Sequence, residues 1–463
     1  MCVHPSSFAL AAALFAQVTP SGGPAAKPLF PMTVDTLDTG LTVVTVPFSA
    51  GGATAFYTLV RAGSRDEVEA GKSGYAHLFE HLMFRGTEKV SSADYEKKMQ
   101  SLGSDNNAFT TDDFTMYTPM IPRASLSELI DLEADRFQHL SYSPAAYKDE
   151  TGAVLGEFNK DFSNPWWQID EAIRELAFKK HTYGHTVIGY KKDVVAMPNA
   201  YDYSRSFFKR FYTPDDAVIY VVGDVDRAKV LEQVKKAYAG WQGKRAETKT
   251  EAEPEQKEPR RKDLVWKSPT TPRLSIGWKV PQVSASMRDA AALSVIASLA
   301  FGEPSDLYQR LVVKEQRALE LSCDPDDALH KDPGLFRVDA KLKPGEAFDG
   351  VLEAIQSTVD SLAKGDVDPA RLEATKRHVK GRMVLSMQTP DAVAVRLAYM
   401  HAVAGAPGAF DAFVAELAQV TKDDVARAAK YLATSRRNVV TLVPPPPKKE
   451  PAPAKADAKG GKK

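Results

Sequence analysis

Cysteine is almost absent from this chain, whose 463 residues include only Cys2 and Cys323. The two lie far apart in the sequence and one stands at the extreme start, so a structural disulfide is not expected. A small fold held together by disulfide bonds is thereby excluded. Cysteine usage gives no indication of the cellular compartment.

An excess of charge is missing as well, because 60 basic side chains balance 60 acidic ones. Nucleic-acid binding is built on a positive excess that meets phosphate, so no nucleic-acid partner is expected. Long apolar runs are also lacking: apart from one stretch near the start, none approaches the ~18–20 residues of a membrane span. An apolar content of 43% over this length suits two large globular domains.

Histidine is scarce, at nine residues, yet His77 and His81 stand four apart and enclose Glu80. On a helix, this spacing places both imidazoles on one face with Cβ atoms about 5–6 Å apart, so both can reach one ion. Glu80 would lie beside that ion as a candidate general base. The order H-x-x-E-H is the inverse of the commoner zinc motif H-E-x-x-H. The alternative is a pair of buried helix-face histidines beside a salt-bridged glutamate.

A zinc site of this type needs a third protein ligand, and the stretch from Pro144 to Lys160 offers two candidates. It is predicted to be a helix in which Glu150 and Glu157, two turns apart, lie on one stripe. Acidic residues usually occupy solvated helix faces, so spacing alone does not distinguish a ligand from a surface residue.

Several other motifs carry a resemblance to a known family. They are Leu37-Asp-Thr-Gly-Leu, Arg61-Ala-Gly-Ser-Arg-Asp-Glu67, Phe84-Arg-Gly-Thr87, Asn106-Asn-Ala-Phe-Thr110 with Tyr117, Tyr183-Gly-His185 with Gly189, Tyr212-Thr-Pro214 and Val221-Val-Gly-Asp224. From Val34 to about Asp226 the chain resembles the pitrilysin/insulinase family of inverzincin metallopeptidases, which includes mitochondrial processing peptidase and many short bacterial members.

The resemblance implies a catalytic site with one zinc ion. The family's third ligand is a glutamate that follows the second histidine by about 75 residues, and Glu157 matches it. The expected metal ligands are therefore His77, His81 and Glu157. Glu80 is the expected catalytic base, and Glu150 matches a second glutamate that supports catalysis without binding the metal.

A charged segment, residues 244–262, divides the chain, and the order of helix and strand patterns starts again after it. We expect an α+β protein with two tandem homologous α/β-layer domains. Each would be a mostly antiparallel or mixed sheet packed with helices, and only the first would carry a metal site. The predicted boundaries are a possible signal peptide and spacer at 1–30, domains at 31–243 and 263–443, and a disordered tail at 444–463.

The second half is predicted to be a copy of the fold without the metal ligands. Overlaying the halves puts Ser294, Ala297 and Ser298 at the positions of the zinc motif, and Thr375 and Arg382 at those of the two glutamates. Family members use this half to present an arginine and a tyrosine that hold the substrate.

In the run from Pro304 to Glu320 that matches this feature, Asp306 and Glu320 stand where the arginine and the tyrosine are expected. Either a nearby side chain takes over, or a homologous partner subunit supplies the pair. The nearby candidates are Tyr308, Arg310 and Arg317.

By resemblance, Asn107, Ala108 and Phe109 form an exposed sheet edge to which an extended peptide adds as a strand. Asn107 is equally well explained as a turn residue that opens a strand. The expected function is that of a zinc endopeptidase acting on unstructured peptides or small polypeptides, as the metal-bearing subunit of a heterodimer or as a homodimer. One alternative is a non-catalytic scaffold subunit of a processing-peptidase-like complex. Another, a hydrolase of non-peptide substrates, is disfavoured by the resemblance alone.

The amino terminus carries an apolar run, from Phe8 to Ala16, of signal-peptide length. It ends in small residues but lacks a preceding Lys or Arg. Export to the periplasm or the extracellular space is the favoured interpretation, and a cytoplasmic location with a plain arm is the alternative.

Overall fold

A computed structural model of the chain describes residues 28–445. The predicted signal-peptide run at 8–16 and the predicted tail from 446 onward lie outside the described residues. Between 28 and 445, none of the helices combines the length and the apolarity that a membrane span requires.

The first half contains a seven-stranded mixed sheet in the order β1-β2-β7-β3-β5-β4, with β6 paired to β3. Only β2 and β7 run parallel, and every other pair is antiparallel. The strands are β1 (Thr33–Thr36), β2 (Thr42–Pro47), β3 (Ala53–Val60), β4 (Ala108–Thr110), β5 (Thr115–Tyr117), β6 (Met120–Pro122) and β7 (Ala217–Gly223).

Eight α-helices lie in the described part of this half. They are α1 (Tyr75–Leu82), α2 (Ser92–Ser101), α3 (Leu126–His139), α4 (Pro144–Asp161), α5 (Pro165–Ala177), α6 (Lys191–Ala196), α7 (Tyr201–Phe211) and α8 (Arg227–Ala237). Leu78 and Phe79 of α1 are fully buried in the core that also holds Phe56 of β3. The zinc motif therefore lies on a helix held directly against the sheet.

The second sheet has the order β10-β11-β9-β12-β8, in which only β8 and β12 are parallel. Its strands are β8 (Arg260–Val265), β9 (Arg273–Lys279), β10 (Ala318–Ser322), β11 (Leu335–Leu342) and β12 (Arg437–Val443). The accompanying helices are α9 (Met287–Ile296), α10 (Asp306–Tyr308), α11 (Phe348–Ala363), α12 (Pro369–Ser386), α13 (Pro390–Ala404), α14 (Ala409–Gln419) and α15 (Lys422–Ala429). Two π-helical turns, Ala297–Phe301 and Gln309–Lys314, follow α9 and α10.

The internal repeat predicted from the sequence is present in the strand order. Strands β2-β7-β3-β5-β4 of the first sheet correspond to β8-β12-β9-β11-β10 of the second, with the same pattern of parallel and antiparallel pairs. The expected fold class, two tandem α/β-layer domains with mixed sheets and packed helices, is confirmed.

One helix of each half packs on the sheet of the other half. Helix α5 packs on β8, β9 and β12 of the second sheet, with Ile169 and Ile173 in contact with Val440 and Leu442. Helix α13 packs in turn on β3 and β7 of the first sheet. Both helices begin with a proline after a capping side chain, Asn164 or Thr389, as the repeat requires. The two halves therefore share their cores.

The segment between the sheets differs from its prediction in one respect. Residues 244–259 form no helix or strand, but β8 begins at Arg260, inside the stretch predicted as linker. Because this short edge strand begins with charged residues, its sequence pattern predicted a linker instead of a strand. The segment is also held by several contacts. Arg245, for example, donates to Asp66 at 2.7 Å, and Glu253 accepts the backbone N–H groups of residues 179 and 180 at 2.8 Å.

A pH dependence of stability follows from the contact between α13 and the first sheet. His401 is buried there with its Nδ1 2.8 Å from the Tyr220 hydroxyl. Burial, with a smaller contribution from the charge of Arg61, lowers the pKa of His401 to about 4. Between its unfolded pKa near 6.5 and pH 4, the unfolded chain binds a proton that the folded chain does not. We therefore expect His401 to contribute a loss of about 2 kcal/mol in the free energy of unfolding on acidification from pH 7.5 to 5.

The measurement is urea unfolding of wild type, His401→Gln and His378→Gln at both pH values. His378 lies exposed on α12 and serves as the matched histidine control. The His401 variant should lose less stability on acidification than the other two proteins. Equal losses in all three would show that His401 does not contribute to this pH dependence.

Candidate metal centre

Helix α1 starts from a glycine that no other residue can replace without strain. Gly74 has φ of +90°, and a Cβ at this position would lie 2.4 Å from the carbonyl oxygen of Ile188. The buried carboxylate of Glu67 accepts the N–H groups of Gly74 and Ala76, both at 2.7 Å, and so satisfies donors of the first turn. These contacts fix where the zinc motif begins.

The two histidines of α1 meet one glutamate of α4. Nε2 of His77 lies 3.6 Å from Oε2 of Glu157, and Nε2 of His81 lies 3.5 Å from the same oxygen. Ligand atoms of a tetrahedral zinc ion, at about 2.0–2.1 Å from the metal, are about 3.4 Å apart. Among residues 28–445 this is the one group of three or more His, Cys, Asp or Glu side chains close enough to share an ion.

The electrostatics of the two histidines also suit a bound cation. Burial lowers the pKa of His77 to about 4, which keeps its imidazole neutral, as a ligand must be. The nearby carboxylates of Glu150 and Glu157 raise the pKa of His81 to about 9, so the surroundings stabilise positive charge at this point. Nδ1 of His77 is buried without a hydrogen-bond partner among the described residues. The donor set fits zinc.

Glu150 occupies the other side of His81. Its Oε2 lies 3.3 Å from Nδ1 of His81, and its Oε1 forms an ion pair with Arg85. Burial opposes ionisation, but the hydrogen bond with His81 and the charge of Arg85 outweigh it and lower the pKa of Glu150. A carboxylate behind a ligating histidine fixes the orientation of the ring. Sequence reasoning assigned no role to Arg85.

Glu80 lies close enough to His81 and Glu157 to interact with their charges, and it also contacts strand β4. Its Oε2 accepts a hydrogen bond of 2.6 Å from the Oγ1 of Thr110. Burial raises the pKa of Glu80, which brings this carboxylate closer to the range of an effective general base. Thr110 ends the run of residues used for the family resemblance, but no role was predicted for it.

The predicted peptide-binding residues lie at the edge of the first sheet, next to α1. Strand β4 has one neighbour, β5, among the described strands and packs against α1. Asn107 precedes the strand and its Oδ1 accepts the N–H of Ala108 at 2.9 Å. The ring of Phe109 packs edge-on against Phe114 with 6.0 Å between centroids. Among the described strands, β4 is thus the edge strand of the first sheet, and it lies beside the helix that carries the candidate metal ligands His77 and His81.

The corresponding positions of the second half carry no ligand set. Ser294 is buried and donates to the carbonyl of Pro325, whereas Arg382 is exposed. In the run expected to supply an arginine and a tyrosine, Asp306 is exposed and pairs with Arg371 at 2.6 Å. Glu320 is exposed on the edge strand β10.

The three side chains considered as replacements differ in their surroundings. Arg317 donates to Glu346 at 2.9 Å, and Arg310 lies exposed 3.8 Å from Glu315. Tyr308 is partly buried against the core of the second half.

Three side chains that could hold one metal ion, in inverted motif order and in the first of two repeated α/β layers, are typical of a metallopeptidase. The chain belongs to the insulinase family, peptidase family M16. The family model described as "Insulinase (Peptidase family M16)" matches residues 52–191, and the model described as "Peptidase M16 inactive domain" matches residues 200–379.

Three relatives illustrate the match. An uncharacterized zinc protease of Streptomyces coelicolor is 26% identical over 421 residues, which is 90% of each chain. A probable mitochondrial-processing peptidase subunit beta of Arabidopsis thaliana is 24% identical over 372 residues, 78% of this chain and 68% of the relative. The crystal structure of a protease from Helicobacter pylori superposes with a TM-score of 0.83 at 25% identity, over 90% of this chain and all of that one. The protein is a metalloprotease whose cofactor is zinc.

Zinc retention tests the assigned ligands. We expect His77→Ala and Glu157→Gln to abolish stoichiometric zinc binding, because each removes one of three protein ligands. Glu150→Gln should weaken zinc binding about 10- to 100-fold through the orientation of His81. The measurement is zinc content after dialysis against graded chelator concentrations. Asp149→Asn, an exposed carboxylate of the same helix, is the control. Wild-type zinc retention by Glu157→Gln would contradict the assignment.

Proposed function

We propose that the protein is an endopeptidase that cleaves internal bonds of extended, unstructured peptides. In this proposal His77, His81 and Glu157 hold the zinc ion, Glu80 is the catalytic base and Glu150 orients His81. The observation that carries it is the open edge of β4 beside three converging ligand atoms. The edge supplies a place for a peptide strand, and the ligand cluster supplies the means of cutting it.

Zinc bound by these side chains supplies Lewis-acid activation of a water molecule and of the peptide carbonyl. The side chain of Glu80, with its raised pKa, takes the proton from the attacking water and delivers it to the amine that leaves. Glu150 and Arg85 hold His81 in the orientation that directs its Nε2 toward Glu157. The division of roles explains why the site contains three glutamates.

The preference for unstructured substrates follows from the edge-strand mode of binding. A strand that adds to β4 must offer its backbone N–H and C=O groups, which folded proteins already use in their own helices and sheets. Strand β4 is three residues long, so it contacts a short stretch of main chain and few side chains. We therefore expect broad sequence tolerance with a strict requirement for an extended, accessible backbone.

We further propose that the chain is the metal-bearing subunit of a dimer. Support comes from the second half: Asp306 replaces the expected arginine and is tied to Arg371, and Glu320 replaces the expected tyrosine. Arg317 is tied to Glu346. The Arabidopsis relative is itself named as a subunit. A homologous partner that carries the arginine and tyrosine would complete the substrate site.

Export from the cytoplasm remains part of the proposal, on the basis of the apolar run from Phe8 to Ala16. Amino-terminal sequencing of the protein isolated from its native cells tests it. A mature chain that starts after Ala16 supports export, and a chain that retains these residues contradicts it.

Cleavage of a set of quenched, unstructured peptides by the purified chain tests the peptidase proposal. Wild type and Glu80→Gln are compared, with zinc content determined on the same samples. We expect turnover that requires zinc and falls at least about 100-fold in the variant, because the proton acceptor is lost. Equal rates in the two proteins would exclude Glu80 as the base.

The same assay decides the question of a partner. Turnover by the chain alone would show that the site is self-sufficient. It would exclude the hypothesis that a partner subunit must supply the arginine and the tyrosine. One bound zinc with negligible turnover, followed by activity on addition of a homologous chain with the arginine and tyrosine, would establish the two-subunit enzyme. Inactivity of the zinc-loaded chain with such a chain bound would instead identify a scaffold subunit.

A further inference from the structure

The hydrogen-bond register of the β4–β5 hairpin determines which residues face the open edge. The N–H of Thr111 donates to the carbonyl of Phe114, and the N–H of Thr118 donates to that of Asn107, both at 2.8 Å. In an antiparallel pair such bonds recur at every second residue, so Asn107 and Phe109 direct their backbone groups toward β5. The backbone groups of Ala108 and Thr110 therefore point to the open side.

Thr110 has a second contact, through its side chain. Alternate residues of a strand face opposite sides of the sheet, and Ala108 and Thr110 share the side that packs on α1. From there the Oγ1 of Thr110 donates to Oε2 of Glu80 at 2.6 Å. One residue thus borders the peptide-binding edge with its main chain and holds the catalytic carboxylate with its side chain.

We propose that Thr110 is a positioning residue. It sets the orientation of Glu80 and links this side chain to the strand edge to which the substrate peptide adds. The inference rests on the proposed function, in which β4 receives the substrate and Glu80 is the base. A glutamate has three rotatable side-chain bonds, and a hydrogen bond to one carboxylate oxygen restricts them while the other oxygen stays available. A β-branched threonine on a strand suits this task because its own χ1 is restricted.

A substitution series separates this role from simple packing. Thr110→Val keeps the shape and the backbone but removes the donor, whereas Thr110→Ser keeps the donor. We expect Thr110→Val to lower kcat about 10- to 100-fold while KM stays within about 3-fold. Thr110→Ser should restore kcat to within about 3-fold of wild type. Thr118→Val, which loses a hydroxyl bonded to the Asn107 carbonyl at the far end of the same hairpin, is the control and should behave as wild type.

Three measurements do not depend on turnover. The affinity of Thr110→Val for a non-cleavable peptide, measured by fluorescence anisotropy, should equal that of wild type, because the edge groups are unchanged. Zinc content should be unchanged as well. In a crystal structure of the zinc-loaded variant, the Glu80 carboxylate should have left its wild-type position.

Each result has a defined meaning. An undiminished kcat in Thr110→Val, a Thr110→Ser variant as slow as Thr110→Val, or an unmoved Glu80 carboxylate would overturn the proposal. A parallel loss of peptide affinity and kcat would also overturn it and assign Thr110 to the strand structure. Equal activity of wild type and Glu80→Gln would refute the proposed function itself, and this outcome is separate because it does not involve Thr110.

Discussion

The convergence of α1 and α4 is the constraint on which the rest of the structure depends. Two imidazoles and one carboxylate must meet within a few ångströms, although their residues lie about 80 positions apart in the chain. Helix α1 is fixed by the close approach of Gly74 to Ile188 and by its burial against the sheet. Helix α4 is fixed by the fully buried Tyr147, whose hydroxyl donates to the carbonyl of Met197 at 2.7 Å.

Because α5 and α13 each pack on the sheet of the opposite half, the convergence of α1 and α4 is also linked to the second half. Helix α5 follows α4 after a short turn, and it is held by Val440 and Leu442 of the other sheet. The helix that follows the Glu157 helix is thus anchored on the second half, in whose described residues no metal-binding cluster is found. In return, α13 covers β3 and β7, the two central strands of the first sheet. Through this mutual packing, the second half has a structural role in the first half.

The local sequence pattern predicted the helix of the two candidate glutamates closely, because it was expected from Pro144 to Lys160 and α4 spans Pro144–Asp161. Strand β8 begins within the charged segment that was predicted to be a linker. The helices α13, α14 and α15 were not predicted. The apolar residues of α13 meet two different layers, so their pattern shows no single face. Edge strands and shared helices acquire their structure from partners elsewhere in the chain, which local patterns do not specify.

The sequence by itself determined the zinc motif and the two candidate glutamates, because residues spaced by whole turns of a helix share a face. It also determined the repeated order of elements. Only the tertiary structure decided that Glu157 meets both histidines while Glu150 turns to the far nitrogen of His81. The tertiary structure also places the hydroxyl of Thr110 within hydrogen-bond distance of Glu80. It leaves β4 with one strand partner among the described strands. Helical periodicity fixes directions within one element, whereas contacts between elements depend on how the sheet positions them.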